Sequence, residues 1–432
     1  MHHVKKLKNG ITLITVPVEG TKAATILAMF PVGSRYENPK ISGISHFVEH
    51  MLFKGTEKRK SAQDISRTLE AVGADYNAFT YKDYTGYYVK IDGTKQEMAF
   101  DLLSDMIFKS VILAAEAEKE KGAIVEELRM YEDNPMMAID LLSDKLVFKN
   151  NTLGWDIGGS EKTVREMTRE ELWSYYQQHY SPRNMVLVVA GAVPKQKRLA
   201  ELMRYFESHT SPPHATDLRF YQKKFSPFVW PKANLPWADR VAVEERKVDQ
   251  AHVIMNFPGL KNNHPDRYAL AVLLNILGGG MSSRLFVEVR EKRGLAYMVK
   301  TSASAFRDVG LCYVQAGLDP ARLGEAAKVI KQELQKIARE PVSEVELEDA
   351  KNNIAGRTAL HMEDSSAQAE WFAKQFLFSP TVQTPDQFLL KLKSVSRAQV
   401  QRLAKQLLVW ERMRLAVIGP FVKEKVLKLL GI

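Results

Sequence analysis

His46-Phe-Val-Glu49-His50 sets two imidazoles four residues apart with a carboxylate between them. On a helix, positions i, i+3 and i+4 share one face, so all three polar groups point the same way. Two imidazoles at that spacing can hold one zinc ion, and the neighbouring carboxylate can take a proton from an attacking water. The residues around them, Ile44, Phe47, Val48, Met51, Leu52 and Phe53, are apolar. Three polar groups on so apolar a helix need partners if buried, and a cation would satisfy them together. Such a site needs a third protein ligand. The run Glu118-Lys-Glu-Lys-Gly-Ala-Ile-Val-Glu-Glu127 has helical spacing and is rich in carboxylates. Glu120 and Glu127 lie two turns apart on one face, so Glu127 can ligate while Glu120 orients a ligand by a hydrogen bond from behind.

Other candidate groups carry less. Cys312 is the one cysteine, which excludes an intramolecular disulfide and a cysteine-built zinc site. Its strand-like setting between Leu311 and Tyr313 predicts a buried thiol and not a nucleophile. His2, His3, His209, His214, His252, His264 and His361 show no ligand spacing. Gly278-Gly-Gly280 lacks the Gly-Lys-Ser/Thr ending of a phosphate-binding loop and is read as a structural turn.

The elements that must position these groups show as two periodicities. Segments 61–72, 95–109, 116–131 and 169–179 have helical spacing of apolar residues, and 11–17, 24–31, 84–91 and 185–190 read as strands. Ser208 to Arg240 holds five of the 18 prolines and little periodicity, which reads as an extended connector. On either side of it the chain repeats. Met185 to Gly191 matches Met413 to Gly419 at an offset of 228, and His50 to Gly55 matches Leu273 to Gly278 at 223. Gly73-Ala-Asp-Tyr76 matches Gly294-Leu-Ala-Tyr297 at 221, and the helix opened by Asp92 matches that opened by Asp319 at 227. Four matches in the same order point to an internal duplication. The expected fold is α+β: two duplicated α/β sandwich halves, each a mainly antiparallel sheet with helices packed on it, enclosing a cleft or chamber. The expected domains are 1–210, carrying the metal site, a Pro-rich linker 211–242, and 243–432.

With 432 residues and a near-average apolar and charged content, the chain can form two to four domains of about 150 residues and is not a disordered or fibrous protein. The net charge of +10 would favour nucleic acid if it were clustered. Residues 1–210 carry 28 Lys and Arg against 28 Asp and Glu, so the whole excess lies beyond them. There it is spread over helical-looking runs such as Lys328 to Arg339 and Lys391 to Lys405, as expected of solvated faces. No nucleic-acid partner is expected. No run approaches the length of a membrane span, and Met1 to Gly10 leads straight into the strand-like Ile11 to Val16 without a signal-peptide pattern. A cytoplasmic location and no membrane partner are the expectations.

Taken together, the motifs resemble the inverted-motif zinc metallopeptidases of the pitrilysin/insulin-degrading family, and the short two-half chain is similar to the mitochondrial processing peptidase β subunit and its bacterial homologues. The resemblance spans the chain, from Asn9-Gly10 through His46 to Gly55, Asn77-Ala-Phe-Thr80, His179-Tyr-Ser-Pro-Arg183 and Leu277 to Leu285 to Arg290 with Tyr297 seven residues on. It implies one Zn2+ per chain on His46, His50 and Glu127, with Glu49 as general base and later proton donor to the leaving amine. It implies that Glu120 supports the site, and that Arg290 and Tyr297 stabilise the oxyanion or hold the substrate backbone. Asn77, Ala78 and Phe79 would form an edge strand to which a short or unfolded peptide adds. A homodimeric bacterial zinc endopeptidase is the expected function. The competing expectation is a non-catalytic scaffold or partner subunit, against which the chain retains both the His/Glu and the Arg/Tyr sets.

Overall fold

Two sheets organise the computed structural model, which describes residues 2–218, 221, 225–231 and 235–431. They belong to two units: Met1–Met130, Trp155–Ser226 and Leu360–Gln383 make the first, and Tyr131–Gly154, Pro227–Ala359 and Thr384–Ile432 the second.

The first unit is built on six strands, β1 (His3–Lys6), β2 (Thr12–Pro17), β3 (Ala23–Phe30), β4 (Asp75–Thr80), β5 (Thr85–Asp92) and β6 (Val186–Gly191), in the order β1-β2-β6-β3-β5-β4. β2 and β6 are parallel and the other pairings antiparallel. Strand periodicity sends alternate residues to opposite faces. Leu13, Ile26, Ala28, Tyr87, Val89, Leu187 and Val189 face one core with helices α1 (Ile44–Met51), α2 (Ala62–Glu70) and α3 (Gln96–Lys109). Ile14, Val16, Leu27, Met29, Val186, Val188 and Ala190 face a second core, covered by Ala369, Phe372, Ala373 and Leu377 of the helix Ser365–Phe378. Both faces are therefore buried, which is why β3 and β6 read as nearly continuous apolar runs.

The second unit holds β7 (Val241–Glu245), β8 (Ala251–Gly259), β9 (Ala296–Ala305), β10 (Gly310–Leu318) and β11 (Arg414–Gly419), in the order β7-β11-β8-β10-β9. Only β7 and β11 are parallel. One face packs against helices that include Arg267–Gly278, Leu323–Arg339 and Arg397–Leu407. Among residues on the other face, Ile254, Ala416 and Ile418 meet Ala138 and Ile139 of α5 (Pro135–Val147).

Set β1 aside and the two sheets have one order and one set of directions, the duplication expected from the four matched segments. Matched details agree. Gly73 and Gly294 both take positive φ, 65° and 59°, just before β4 and β9. Asp92 and Asp319 both accept a backbone N–H two residues on, opening a helical segment. Within each unit, one helix comes from the far side of the connector: α5 lies before it yet belongs to the second unit, and Ser365–Phe378 lies after it yet belongs to the first.

The described part of the 211–242 segment carries turns and the short helix Trp237–Arg240, and β7 begins at Val241, two residues inside the expected connector. Residues 219–220, 222–224 and 232–234 of it lie outside the described residues. Cys312 is fully buried on β10, as its apolar neighbours predict, and burial pushes its thiol up to about 12.

Candidate metal centre

Helix α1 has only eight residues, and its N-cap is Gly43, whose φ is 95° and which has no side chain to cap with. A Cβ there would stand 2.5 Å from the Gly158 carbonyl oxygen, so a glycine is required twice over. Capping comes instead from Glu37. Its carboxylate accepts the Gly43 N–H at 2.8 Å and the Ser45 N–H at 2.9 Å. A negative group at a helix N-terminus satisfies the unpaired donors and opposes the helix dipole. Burial nevertheless dominates and pushes the Glu37 carboxyl up to about 7, against the hydrogen bonds from Ser45 and Gly43. The Ser45 hydroxyl also bonds the Tyr175 hydroxyl at 2.8 Å. Ile44, Phe47, Val48 and Met51 are buried in the core, which turns His46, Glu49 and His50 to the remaining face.

Glu127 comes from helix α4 (Ala114–Asp133) and meets the two imidazoles. His46 Nε2 lies 3.2 Å from His50 Nε2, and Glu127 Oε2 lies 3.3 Å from His50 Nε2 and 3.7 Å from His46 Nε2. Tetrahedral zinc with ligand distances near 2.0–2.2 Å separates its ligand atoms by about 3.3–3.6 Å, so the donor set fits that ion. Three acceptor atoms converging this closely repel one another unless a cation stands among them. Among the described residues this is the group of His, Cys, Asp and Glu donors able to hold a metal.

Behind the ligands, Glu120 is nearly buried. Its Oε1 is 2.8 Å from His50 Nδ1, and its Oε2 is 2.5 Å from Lys54 Nζ. A proton on Nδ1 shared with Glu120 leaves the Nε2 lone pair for a metal, which fixes the tautomer a ligand needs. Burial opposes charge on Glu120, but the bonds to His50 and Lys54 outweigh it and hold the carboxyl below the usual range. The same bonds act on His50: burial disfavours its charged form, and the hydrogen bonds to Glu120 and Glu127 overcome this and lift it to about 9. His46, with burial and the nearby His50 both against protonation, is lowered to about 4. The carboxylates that favour charge on His50, Glu120 and Glu127, would favour a divalent ion at the same place. His46 Nδ1 is buried with no hydrogen-bond partner among the described residues.

Glu49 shares the face but not the cluster. Burial raises its carboxyl above the usual range, opposed by a hydrogen bond from Thr80 Oγ1. Thr80 ends β4, the edge strand. Tyr76 and Ala78 pack on the α1 side with it, whereas Phe79 turns to the other face. There the Phe79 ring covers Gly86, where a Cβ would stand 2.3 Å from it. Asn77 Oδ1 accepts its own neighbour's Ala78 N–H at 2.9 Å. Asn77, Ala78 and Phe79 therefore offer the α1 side one small side chain and otherwise main chain.

Arg290 and Tyr297 belong to the second unit, where they meet. Arg290 sits on a π-helical turn, Phe286–Glu291, and its guanidinium stacks 4.7 Å from the Phe286 ring and 5.3 Å from the Tyr297 ring. Tyr297 stands on β9, which ends that sheet, and is 72% exposed. Glu37, Lys54 and Tyr175 escaped the sequence reading, and Thr80 entered it only as the end of the Asn77 to Thr80 run and not as a partner of Glu49. Lys54 lies within the His46 motif and its four-residue spacing from His50 was a usable signal. Glu37, Thr80 and Tyr175 reach the site through tertiary folding and leave no spacing to detect.

The chain is similar to known proteins over nearly its whole length. Residues 13–160 match the family described as Insulinase (Peptidase family M16), and residues 166–354 match the Peptidase M16 inactive domain. An uncharacterised zinc protease of Streptomyces coelicolor is 37% identical over 424 residues, covering 97% of this chain and 89% of the relative. A protease from Helicobacter pylori superposes with a TM-score of 0.88 at 23% identity, covering 97% of this chain and 99% of its own. A chain of complex III2 from Candida albicans gives 0.82 at 16%, covering 99% of both. At these identities the two structures speak for the fold alone.

Proposed function

This chain belongs to the insulinase family of peptidases, family M16, and from that membership and its donor geometry we propose that it is a zinc-dependent endopeptidase of short or unfolded polypeptides. The observation that carries the reading is the convergence of His46 Nε2, His50 Nε2 and Glu127 Oε2 within 3.7 Å, with Glu49 on the same helix face. Bound there, zinc would supply Lewis acidity, polarising the scissile carbonyl and acidifying the attacking water. Glu49 takes the proton of that water and returns it to the leaving amine. Glu120 holds His50 in the ligating tautomer. Arg290 and Tyr297 are assigned to the carbonyl oxygen as charge develops on it. The peptide joins β4 as an added strand through the main chain of Asn77, Ala78 and Phe79. In sequence terms the proposal gives metal binding to 1–210, connection to 211–242 and the Arg290/Tyr297 pair to 243–432. We extend it to a homodimer in the bacterial cytoplasm. No helix among the described residues is long and apolar enough to cross a membrane.

A non-catalytic scaffold is the competing reading. The inactive-domain match over 166–354 favours it, but that span excludes His46, Glu49, His50, Glu120 and Glu127. Elemental analysis, paired with cleavage of a quenched fluorescent peptide with and without chelator, separates the two. About one zinc per chain with chelator-sensitive cleavage supports the peptidase. Protein that binds no zinc and stays inactive after zinc is added would favour the scaffold.

A further inference from the structure

Thr80 carries a hydroxyl whose single proton has one good destination. It donates to Glu49 Oε2, and its other polar neighbour, Thr85 Oγ1, stands 3.4 Å away. Thr85 is fully buried, faces Thr80 across the β4–β5 pairing, and gives its own proton to the Val32 carbonyl at 2.8 Å. Thr85 is thus fixed by the sheet and lies beside Thr80, and the Thr80 proton goes to the Glu49 carboxylate. Among the described residues no other group donates to Glu49, so Oε1 is left to accept a proton from elsewhere.

We propose that Thr80 is a positioning residue for the general base, holding Glu49 by one oxygen so that the other faces the attacking water. The inference rests on the peptidase reading and adds a coupling to it. Thr80 closes the same edge strand that is offered to the peptide, with the four residues 81–84 of the hairpin turn between it and its β5 partner Thr85. A peptide paired to β4 is therefore in register with the side chain that sets the base, and strand docking and base position are tied through one residue. Glu49 has three rotatable side-chain bonds, and fixing them before the substrate arrives removes an entropy loss from the chemical step.

The test compares Thr80→Val, which keeps shape and loses the hydroxyl, with Thr80→Ser, which keeps the hydroxyl. In the zinc-loaded full chain, Thr80→Val should lower kcat about 10- to 100-fold at nearly unchanged KM, because misplacing a reacting group costs that much without touching binding. Thr80→Ser should recover most of the loss, and both should keep wild-type zinc content. A role confined to folding would not separate kcat from KM or be rescued by serine. Crystal structures of wild type and Thr80→Val supply a readout that needs no turnover: Glu49 held against Thr80 in the first, and turned or spread over rotamers in the second. Wild-type kcat in Thr80→Val, no rescue by serine, or an unmoved Glu49 in the variant each overturn the proposal. Should the wild type cleave no peptide, the peptidase reading falls by itself, and the two crystal structures still decide whether Thr80 holds Glu49.

Discussion

Three glutamates surround His50, and their surroundings give them different work. Glu127 presents an oxygen to both imidazole Nε2 atoms, Glu120 is locked between His50 Nδ1 and Lys54, and Glu49 has a single donor, Thr80. A carboxylate committed to two partners is a poor base, and one with a free oxygen and a raised pKa is a good one. Glu49→Gln should keep about one zinc per chain and lose about 10²- to 10⁴-fold in kcat, whereas His50→Ala should lose both metal and activity; zinc analysis beside the peptide assay reads the contrast. A Glu49→Gln protein with normal turnover would take the base from Glu49. Away from the centre, His179 is buried against Tyr221 and Thr216, and burial lowers it to about 3 from 6.5. With the folded pKa depressed, the unfolded chain binds the extra proton between those values. His179 therefore adds no penalty above about pH 6.5, and stability falls by about 1.4 kcal/mol per unit as pH drops below it, until about pH 3. Urea titrations near pH 7 and pH 5 should show a shallower loss for His179→Gln than for wild type; equal losses would clear His179 of the effect.

At the scale of elements, some glycines are required by the fold and others, Gly122 among them, are not. Gly43 starts the metal helix at positive φ against the Gly158 backbone, so Gly43→Ala must shift α1 and should weaken zinc binding measured by chelator competition. Gly122 lies within helix α4, and a Cβ there would meet nothing within 4 Å. Gly122→Ala should stabilise by about 0.5–1 kcal/mol through reduced unfolded-state freedom, seen as a higher Tm with unchanged zinc content. A lower Tm would mean that α4 needs the gap. The strands β2, β3, β5 and β6 and the helices α2, α3 and Arg169–His179 were legible in the sequence to within a few residues, because each buries a continuous apolar face. α5 was not singled out, since its apolar residues meet a sheet remote in the chain.

At the scale of the whole molecule, that exchange of helices has a consequence. The helix Ser365–Phe378 covers Leu27, Met29, Val186 and Val188 on the first sheet. A fragment ending at Ser226 would leave this face to water, an apolar patch well beyond what monomers expose. Such a fragment should precipitate or form large aggregates on gel filtration, while the full chain does not. A soluble, monomeric fragment would show that the covering helix is dispensable.

The sequence by itself determined the shared face of His46, Glu49 and His50, the carboxylate helix and the duplication, since all of these are periodic: i, i+3 and i+4 on one helix, two turns on another, and a repeat near 225 residues. Only the tertiary structure decided that Glu37 caps the metal helix, that Thr80 holds Glu49, that Phe79 turns away from the site, and that each sheet takes a helix from across the connector. These contacts join residues through chain closure and packing, and no local pattern encodes where a distant side chain will arrive.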